Sequence, residues 1–336
     1  LLHNGDPAGN PQVFVDLALL APGDAAPLVD RFARLREVVL GGVTSVLVAT
    51  PLGGGFALDG GAGSDDLLRG TGLRGLLKSV ALEAPDARTR IVDLDPKDDA
   101  VLLAGQIFEE LFAADDHLEV GRHGADRRTV ALVATDLEEH QPVAPLDAES
   151  VVLLTGGARG ITARAAVGLA AASGCHVVLV GRSPLPMAEA GDLAEAEDAP
   201  AVRRTLIARG LVEPAAIEAE TARVLADREM RATLVALEGV AASVVYRQAD
   251  VRDADGLGAV VASVRAEHGR LDGIVHGAGV LEDRFLRDKE PESFDRVVGT
   301  KLDGVQVLAD ALGPDTRFLV LFASIAGVFG NRGQVD

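Results

Sequence analysis

The chain is 336 residues long and 48% apolar, with 51 acidic residues against 32 basic ones and a formal net charge of −19. That length accommodates two domains of ordinary size or one large α/β body, and that charge argues against general binding to nucleic acid or to an anionic membrane surface. One cysteine, Cys175, excludes an internal disulfide framework and suits a reducing cytoplasm, and no apolar run reaches the ~18 residues of a spanning helix. Aromatic residues are scarce, so the core must be built from Val, Leu, Ile and Ala. The 38 glycines suit the tight strand-to-helix turns of an α/β fold. The opening LLHNGDPAGN has no Met and none of the charge and apolar pattern of a signal peptide. It reads either as the start of a piece cut from a longer polypeptide or as what remains after a leader or tag is removed.

In chain order, Val13 to Leu17 reads as a strand, followed by a helix from Ala25 to Leu40 and a strand from Val43 to Val48. Past a loop holding Leu52, Gly53, Gly54 and Gly55, a helix is expected from Asp65 to Leu82 and a strand from Thr89 to Leu94. No convincing helix follows that loop at once, so it is expected to bind nothing. Asp98 to Ala113 is expected to be helical, with His117 to Arg122 and Thr129 to Val133 as short closing strands. Asp136 to Ser150 is polar, aperiodic and proline-containing, and reads as a linker.

The pattern then restarts. Strands are expected at Val151 to Thr155, His176 to Val180, Ser243 to Ala249, Gly273 to His276 and Phe318 to Phe322. Helices are expected from about Ile161 to Ala172, Ala254 to Glu267 and Phe294 to Leu312. Residues 184–240 break this rhythm, being acidic, Ala-rich and then strongly helix-favouring, and are expected to form a surface helical insertion. Strands separated by helices imply parallel crossovers. The fold class is therefore α/β, with two Rossmann-like subdomains of parallel doubly wound sheet, 1–140 and 141–336.

The sharpest motif lies where the second pattern begins. Thr155, Gly156, Gly157, Ala158, Arg159, Gly160 and Ile161 join a buried strand to a helix. Glycines there permit a tight turn and a close backbone approach to a pyrophosphate, and the helix start offers free N–H groups. At the end of the next strand stand Arg182 and Ser183. An arginine at that place accommodates the 2′-phosphate of NADP, where an acidic residue favours NAD. Asp250 and Val251 follow the third strand, where a carboxylate suits an adenine amino group. Gly277, Ala278 and Gly279 follow the fourth, where small residues let backbone approach the cofactor. NADPH is the expected cofactor, and no metal is expected.

These residues resemble the short-chain dehydrogenase/reductases, and within them the ketoreductase domains of modular polyketide and polyunsaturated fatty-acid synthases. The match is carried by TGGARGIT (155–162), GRS (181–183), ADV (249–251), HGAGVLEDRF (276–285), TKLDG (300–304) and FASIAGVFGNRGQVD (322–336). GLRGLLKSVALEAPDARTRIVDL (72–94) resembles the truncated, cofactor-free structural subdomain of the same enzymes. The resemblance implies reduction of a β-ketoacyl thioester borne by the phosphopantetheine of an acyl carrier protein, within a large multienzyme. It implies Ser324 as the serine that orients the carbonyl and Lys301 as the lysine that lowers the pKa of a tyrosine and holds the ribose. It places that tyrosine thirteen residues beyond the serine, one position past Asp336, and an asparagine four residues further on. Leu281, Glu282 and Asp283 are similar to the Leu-Asp-Asp fingerprint of ketoreductases giving the D-hydroxyl. Thr162 departs from the family's usual Gly or Ala, which leaves its packing open. A non-catalytic NADPH-binding or scaffolding domain and an epimerase- or dehydratase-like relative acting on nucleotide sugars stand as alternatives.

Overall fold

The computed structural model describes residues 12–21, 26–58, 64–136, 145–189 and 191–336, with only the backbone of 64–69. By compactness the chain divides into two units, neither continuous: 1–138 with 281–298 and 323–336, and 139–280 with 299–322. The expected change of subdomain at 140/141 falls within 137–144, outside the described residues, as does most of the expected linker.

The first unit is built on strands β1 (Val13–Asp16), β2 (Ser45–Thr50), β3 (Arg88–Leu94) and β4 (Glu119–His123), paired in parallel in that order. β5 (Asp126–Arg128) closes antiparallel on β4. Helices α1 (Leu28–Leu40) and α2 (Ser64–Glu83) cover one face, where Phe32, Leu35, Leu73, Leu77 and Val80 pack on Val46, Val48 and Ile91. Helix α3 (Ala100–Phe112) covers the other, laying Leu103, Ile107 and Leu111 on Leu47, Ala49, Val92 and Leu94. Asp99 starts α3 by accepting from the N–H groups of Val101 and Leu102 at 2.9 and 3.1 Å. Strand order follows sequence order, so this sheet lacks the reversal at which open α/β sheets form a ligand crevice.

The last strand expected for the first half is misplaced. Apolar alternation points to Thr129–Val133, but β5 is Asp126–Arg128, and Leu132 and Val133 lie about 80% exposed. Charge pairing outranks the alternation. Gly124, at φ +55°, turns the chain early, and Arg127 meets Glu110 at 2.7 Å and Asp115 at 2.6 Å. Glu110 is fully buried, and the cations around it, Arg127 and Arg122 foremost, outweigh burial and hold its pKa below the usual carboxylate range.

The glycine loop after β2 also has an internal occupant. Asp93, buried on β3, accepts from Thr50 Oγ1 at 2.9 Å and from the N–H groups of Leu52 and Phe56 at 2.7 Å each. Burial pushes its pKa up, and those bonds pull against it. A Cβ on Gly54 would run into the carbonyl of Arg122. The amides of Leu52 and Phe56 thus face a resident carboxylate, and Gly54 faces packed backbone.

The second unit holds β6 (Val151–Thr155), α4 (Gly160–Ser173), β7 (His176–Gly181), α5 (Gly191–Ala194), α6 (Ala199–Ala208), α7 (Pro214–Glu238), β8 (Ser243–Gln248), α8 (Ala254–His268) and β9 (Gly273–His276). Helix α9 (Pro291–Asp310) begins among first-unit residues, and β10 (Phe318–Leu321) completes the sheet. The sheet is parallel throughout, in the order β10-β9-β6-β7-β8. The chain therefore reverses direction across the sheet between β6 and β9, the switch point where dinucleotides bind. Val151, Leu153, Val178 and Ile274 pack against α8 and α9, while Val152, Leu154, Val177 and Leu179 pack against α4 and α7.

The segment 184–240 is more than the expected surface insertion. Leu193, Ala196, Val202, Leu206 and Val224 form a small core of their own. Farther along α7, Met230 and Leu237 join the main core beside α4, so this part of α7 serves as the crossover helix between β7 and β8. Arg228 fastens the two parts together, pairing with Glu189 at 2.7 Å and donating to the carbonyls of Leu193 and Ala196.

Replacing Asp93 with alanine strands two loop amides and a hydroxyl in a buried place. A loss of about 2–5 kcal/mol in unfolding free energy is expected, with a smaller loss for Asp93→Asn, which keeps one acceptor. Chemical denaturation followed by circular dichroism measures both.

Candidate active site

The core of the candidate site is the meeting of two loops at the sheet's switch point. Gly156 has φ +70°, and a Cβ there would stand 2.8 Å from both N and Cα of Ala278. Gly157 is equally confined, with Leu179 Cδ2 2.7 Å from a Cβ position. The glycines let the loop after β6 lie directly against the loop after β9, as a cofactor-cradling turn requires. Thr162, whose packing the sequence leaves open, is buried against Gly277, where a Cβ would collide with its side chain. Gly277 supplies the room that a smaller residue at 162 would otherwise leave.

Thr155 ties these loops together. Its hydroxyl lies 2.8 Å from Nδ1 of His276 and accepts from the N–H of Ala278 at 3.3 Å. His276 Nε2 lies 3.1 Å from the carbonyl of Lys301, which only accepts, so Nε2 carries the proton and Nδ1 accepts from Thr155. Burial, reinforced by the charge of Lys301, lowers the pKa of His276 and keeps this ring neutral. Gly304 makes room for it, since a Cβ there would stand 2.7 Å from Cε1 of the imidazole.

Lys301 leaves α9 toward the ends of β9 and β10. Its Nζ donates to the carbonyl of Phe322 at 3.1 Å and lies 3.3 Å from where a Gly279 Cβ would be. Burial lowers its pKa from the ordinary lysine value.

The first turn of α4 presents its N–H groups beside this junction. Arg159, the N-cap, places no side chain on them, and Gly160 N–H donates to Glu229 of α7 at 2.8 Å. The amides of Ile161 and Thr162 are left without intrahelical partners by helix geometry. Ala158 is buried beneath the turn, and Ile161 is exposed above it. At the end of β7, Arg182 is exposed and Ser183 half-buried. Neither Arg159 nor Arg182 meets a carboxylate among the described residues, whereas many arginines in this acid-rich chain do. After β8, Asp250 Oδ1 accepts from the N–H of Arg252 at 3.0 Å and shapes a turn, while Val251 is buried in the core.

Ser324 belongs to the first unit. Its Oγ is exposed and accepts from the N–H of Ala326 at 3.1 Å, which starts the short helix α10 (Ala326–Phe329). Helix α2 grips the segment that follows. Lys78 donates to the carbonyl of Val328 at 2.6 Å and Ser79 to that of Gln334 at 2.9 Å, while Glu83 accepts from the N–H of Gly333 at 2.7 Å. A Cβ on Gly330, at φ +74°, would press on the α2 backbone. In the same unit Glu282 accepts from Arg296 at 2.7 and 2.9 Å and from Ser293 at 2.5 Å, which holds its pKa at about 2. Asp283 accepts from Gln334 at 3.0 Å, and Leu281 is almost fully exposed. The fully buried Lys289 pairs with Asp336 and donates to the carbonyl of Glu282 at 2.9 Å.

The structure thus gathers the residues after β6, β7, β9 and on α9 at one sheet edge. Sequence reading missed His276, Glu229 and the α2 residues that hold 328–334. His276 carried a signal in its place before Gly277, while the others reach their partners across long sequence separations.

A family model described as the KR domain matches residues 150–336. A polyunsaturated fatty acid synthase polypeptide of Thraustochytrium sp. (strain ATCC 26185 / S-3) is 31% identical over 325 residues, covering 90% of this chain and 11% of that protein. Polyketide synthase PksL of Bacillus subtilis (strain 168) is 29% identical over 322 residues, covering 94% of this chain and 6% of that protein. The chain thus spans a small fraction of the length of these relatives. Among solved structures, the first ketoreductase of the tylosin PKS superposes with a TM-score of 0.63 at 26% identity, over 96% of this chain and 60% of that one. A ketoreductase domain from the bacillaene assembly line superposes with a TM-score of 0.64 at 19% identity, over 100% and 74%, which shows a shared fold. The chain belongs to the KR-domain family, the ketoreductases of polyketide synthases within the short-chain dehydrogenase/reductase superfamily.

Proposed function

We propose that this domain takes NADPH and reduces a β-ketoacyl thioester, presented on the phosphopantetheine of an acyl carrier protein, to the D-hydroxyacyl thioester. Its partners in this reading are that carrier and the other domains of a synthase. The observation that carries it is a glycine cradle at a strand-order switch point, flanked by two arginines that meet no carboxylate among the described residues of a chain with net charge −19. The fit to a dinucleotide rests on Gly156 and Gly157, where a Cβ would run into Ala278 and into Leu179, so only glycines let the turn sit this tightly at the end of β6.

In this reading Gly156, Gly157, Arg159, Gly160 and Ile161 hold the pyrophosphate, with Thr155 and Ala158 fixing the turn. Arg182 and Ser183 receive the 2′-phosphate. Asp250 and Val251 line the adenine end, and Gly277, Ala278 and Gly279 admit the nicotinamide end. The bound cofactor supplies a hydride. Lys301 holds the ribose and keeps a positive charge near the point where alkoxide charge develops. Ser324 offers its exposed hydroxyl to orient the ketone, and Leu281, Glu282 and Asp283 are the fingerprint that favours the D-hydroxyl.

Two outcomes test the reading. Arg182→Ala is expected to raise the dissociation constant for NADPH roughly ten- to a hundredfold, by removal of a charged hydrogen bond, with NADH little affected. Fluorescence titration of both cofactors measures it, and equal weakening of the two would count against NADPH.

The second outcome concerns pH. Burial lowers the pKa of Lys301, so its ammonium is present below that pKa and is lost as pH rises through it. NADPH binding is therefore expected to weaken with rising pH earlier than an exposed lysine dictates. Lys301→Met should erase that limb, and Lys301→Arg should carry it to higher pH. A limb unchanged in Lys301→Met would remove Lys301 from the site.

A further inference from the structure

Strand β7 ends at Gly181, and the last ladder bond there runs from the N–H of Ala249 to the carbonyl of Gly181 at 3.0 Å. Beyond it, the carbonyls of Arg182 and Ser183 are held by side chains of the neighbouring strand. Gln248 Nε2 donates to the carbonyl of Arg182 at 2.9 Å, and Tyr246 Oη donates to the carbonyl of Ser183 at 2.5 Å. Tyr246 and Gln248 are two apart on β8, so they share one face of the sheet, and Gln248 stands opposite Gly181 in the register. The tyrosine also dictates its neighbour. A Cβ on Gly181 would stand 2.7 Å from Tyr246 Oη, so a glycine is needed for the hydroxyl to pass.

The ring of Tyr246 packs in the same core as Ala158 and Leu179, beneath the glycine turn. The charge of Arg159 reaches the phenol and partly offsets burial, which pushes its pKa up. Tyr246 therefore binds the segment that carries Arg182 and shares a core cluster with Ala158, next to Arg159, and it remains a neutral donor. Arg182 is exposed, with no side-chain partner among the described residues to fix its direction.

We propose that Tyr246, seconded by Gln248, is a positioning residue that selects a dinucleotide bearing a phosphate on its adenosine ribose. It does so by locking the backbone at Arg182 and Ser183, so that the guanidinium is held ready at the end of β7. This rests on the assignment of Arg182 to that phosphate. A backbone fixed in advance lowers the ordering cost of engaging the phosphate. A ligand without the 2′-phosphate gains nothing from it, so the effect appears as a ratio between two ligands.

The test uses adenosine 2′,5′-bisphosphate and adenosine 5′-monophosphate as probes in calorimetric titrations, with NADPH and NADH titrated alongside. Tyr246→Phe removes only the hydroxyl. It is expected to weaken the bisphosphate and NADPH roughly three- to tenfold while the monophosphate and NADH change less than about twofold. Gln248→Ala should shift the ratio in the same direction and stands in if the phenylalanine variant does not fold. Equal weakening of both ligand classes, or no change in either, overturns the proposal, since a merely structural tyrosine moves both together. Arg182→Ala separates this from the parent assignment. If that variant also leaves the ratio unmoved, the assignment of Arg182 itself has failed. If Arg182→Ala moves the ratio and Tyr246→Phe does not, only the role of Tyr246 has failed.

Discussion

The arrangement of the second unit depends on the buried hydrogen bond between Thr155 and His276. Thr155 ends the central strand, and His276 ends its neighbour across the switch point. The neutral ring passes that restraint on to α9 through the carbonyl of Lys301. One polar chain thus fixes the glycine turn, the loop after β9 and the helix from which the candidate lysine projects. Each member is satisfied, which is the condition under which a buried polar network specifies a single geometry. Charging the ring would convert the acceptor at Nδ1 into a donor, and burial opposes that change.

The two units begin from the same motif, a glycine-containing loop after a buried strand, and diverge in what meets the loop amides. In the first, Asp93 supplies an anion from within, and β4 backbone fills the space beside Gly54. Two residues other than glycine, Phe56 and Ala57, adopt φ of +57° and +60° there, a strained path held by those Asp93 bonds. In the second unit, Glu229 meets only the first amide of α4, and Arg159 and Arg182 meet no carboxylate among the described residues. A resident carboxylate and a visiting phosphate are alternative answers to the same orphan donors. The first unit's loop donors at Leu52 and Phe56 are thereby met from within, while in the second Glu229 reaches the amide of Gly160.

Much of this was legible in the sequence because the relevant signals are local. Buried strands such as VVLL, the glycine turn at 155–161 and the order of strand-end residues require only neighbours to interpret. The strand at 126–128 was not legible, because its position is set by arginines converging on Glu110 from three elements rather than by alternation. The segment 184–240 read as an addition because its helix is long and charged. Its contribution to the core rests on Met230 and Leu237, spaced on a face that looks unremarkable until α4 lies against it. Tyr246 carries no local signal of its part, because its hydroxyl acts on a carbonyl 63 residues away.

The same limit applies to the first unit, which holds a stretch distant from it in sequence. Its α2 carries Lys78, Ser79 and Glu83, which bond to backbone groups about 250 residues later, in the stretch that begins with Ser324. These are mostly bonds from side chains to main chain, so they constrain the path of that stretch while leaving its side chains free to vary. Lys78 is buried and also meets Glu119 of β4 at 2.8 Å, so its ammonium is balanced inside the first sheet while it holds the carbonyl of Val328. Removing one member would strand a buried charge rather than loosen a single contact. The main-chain path around Ser324 is therefore tied to the integrity of the first unit's sheet. That dependence gives the first unit, whose own loop is filled, the task of setting the main-chain path on which Ser324 stands.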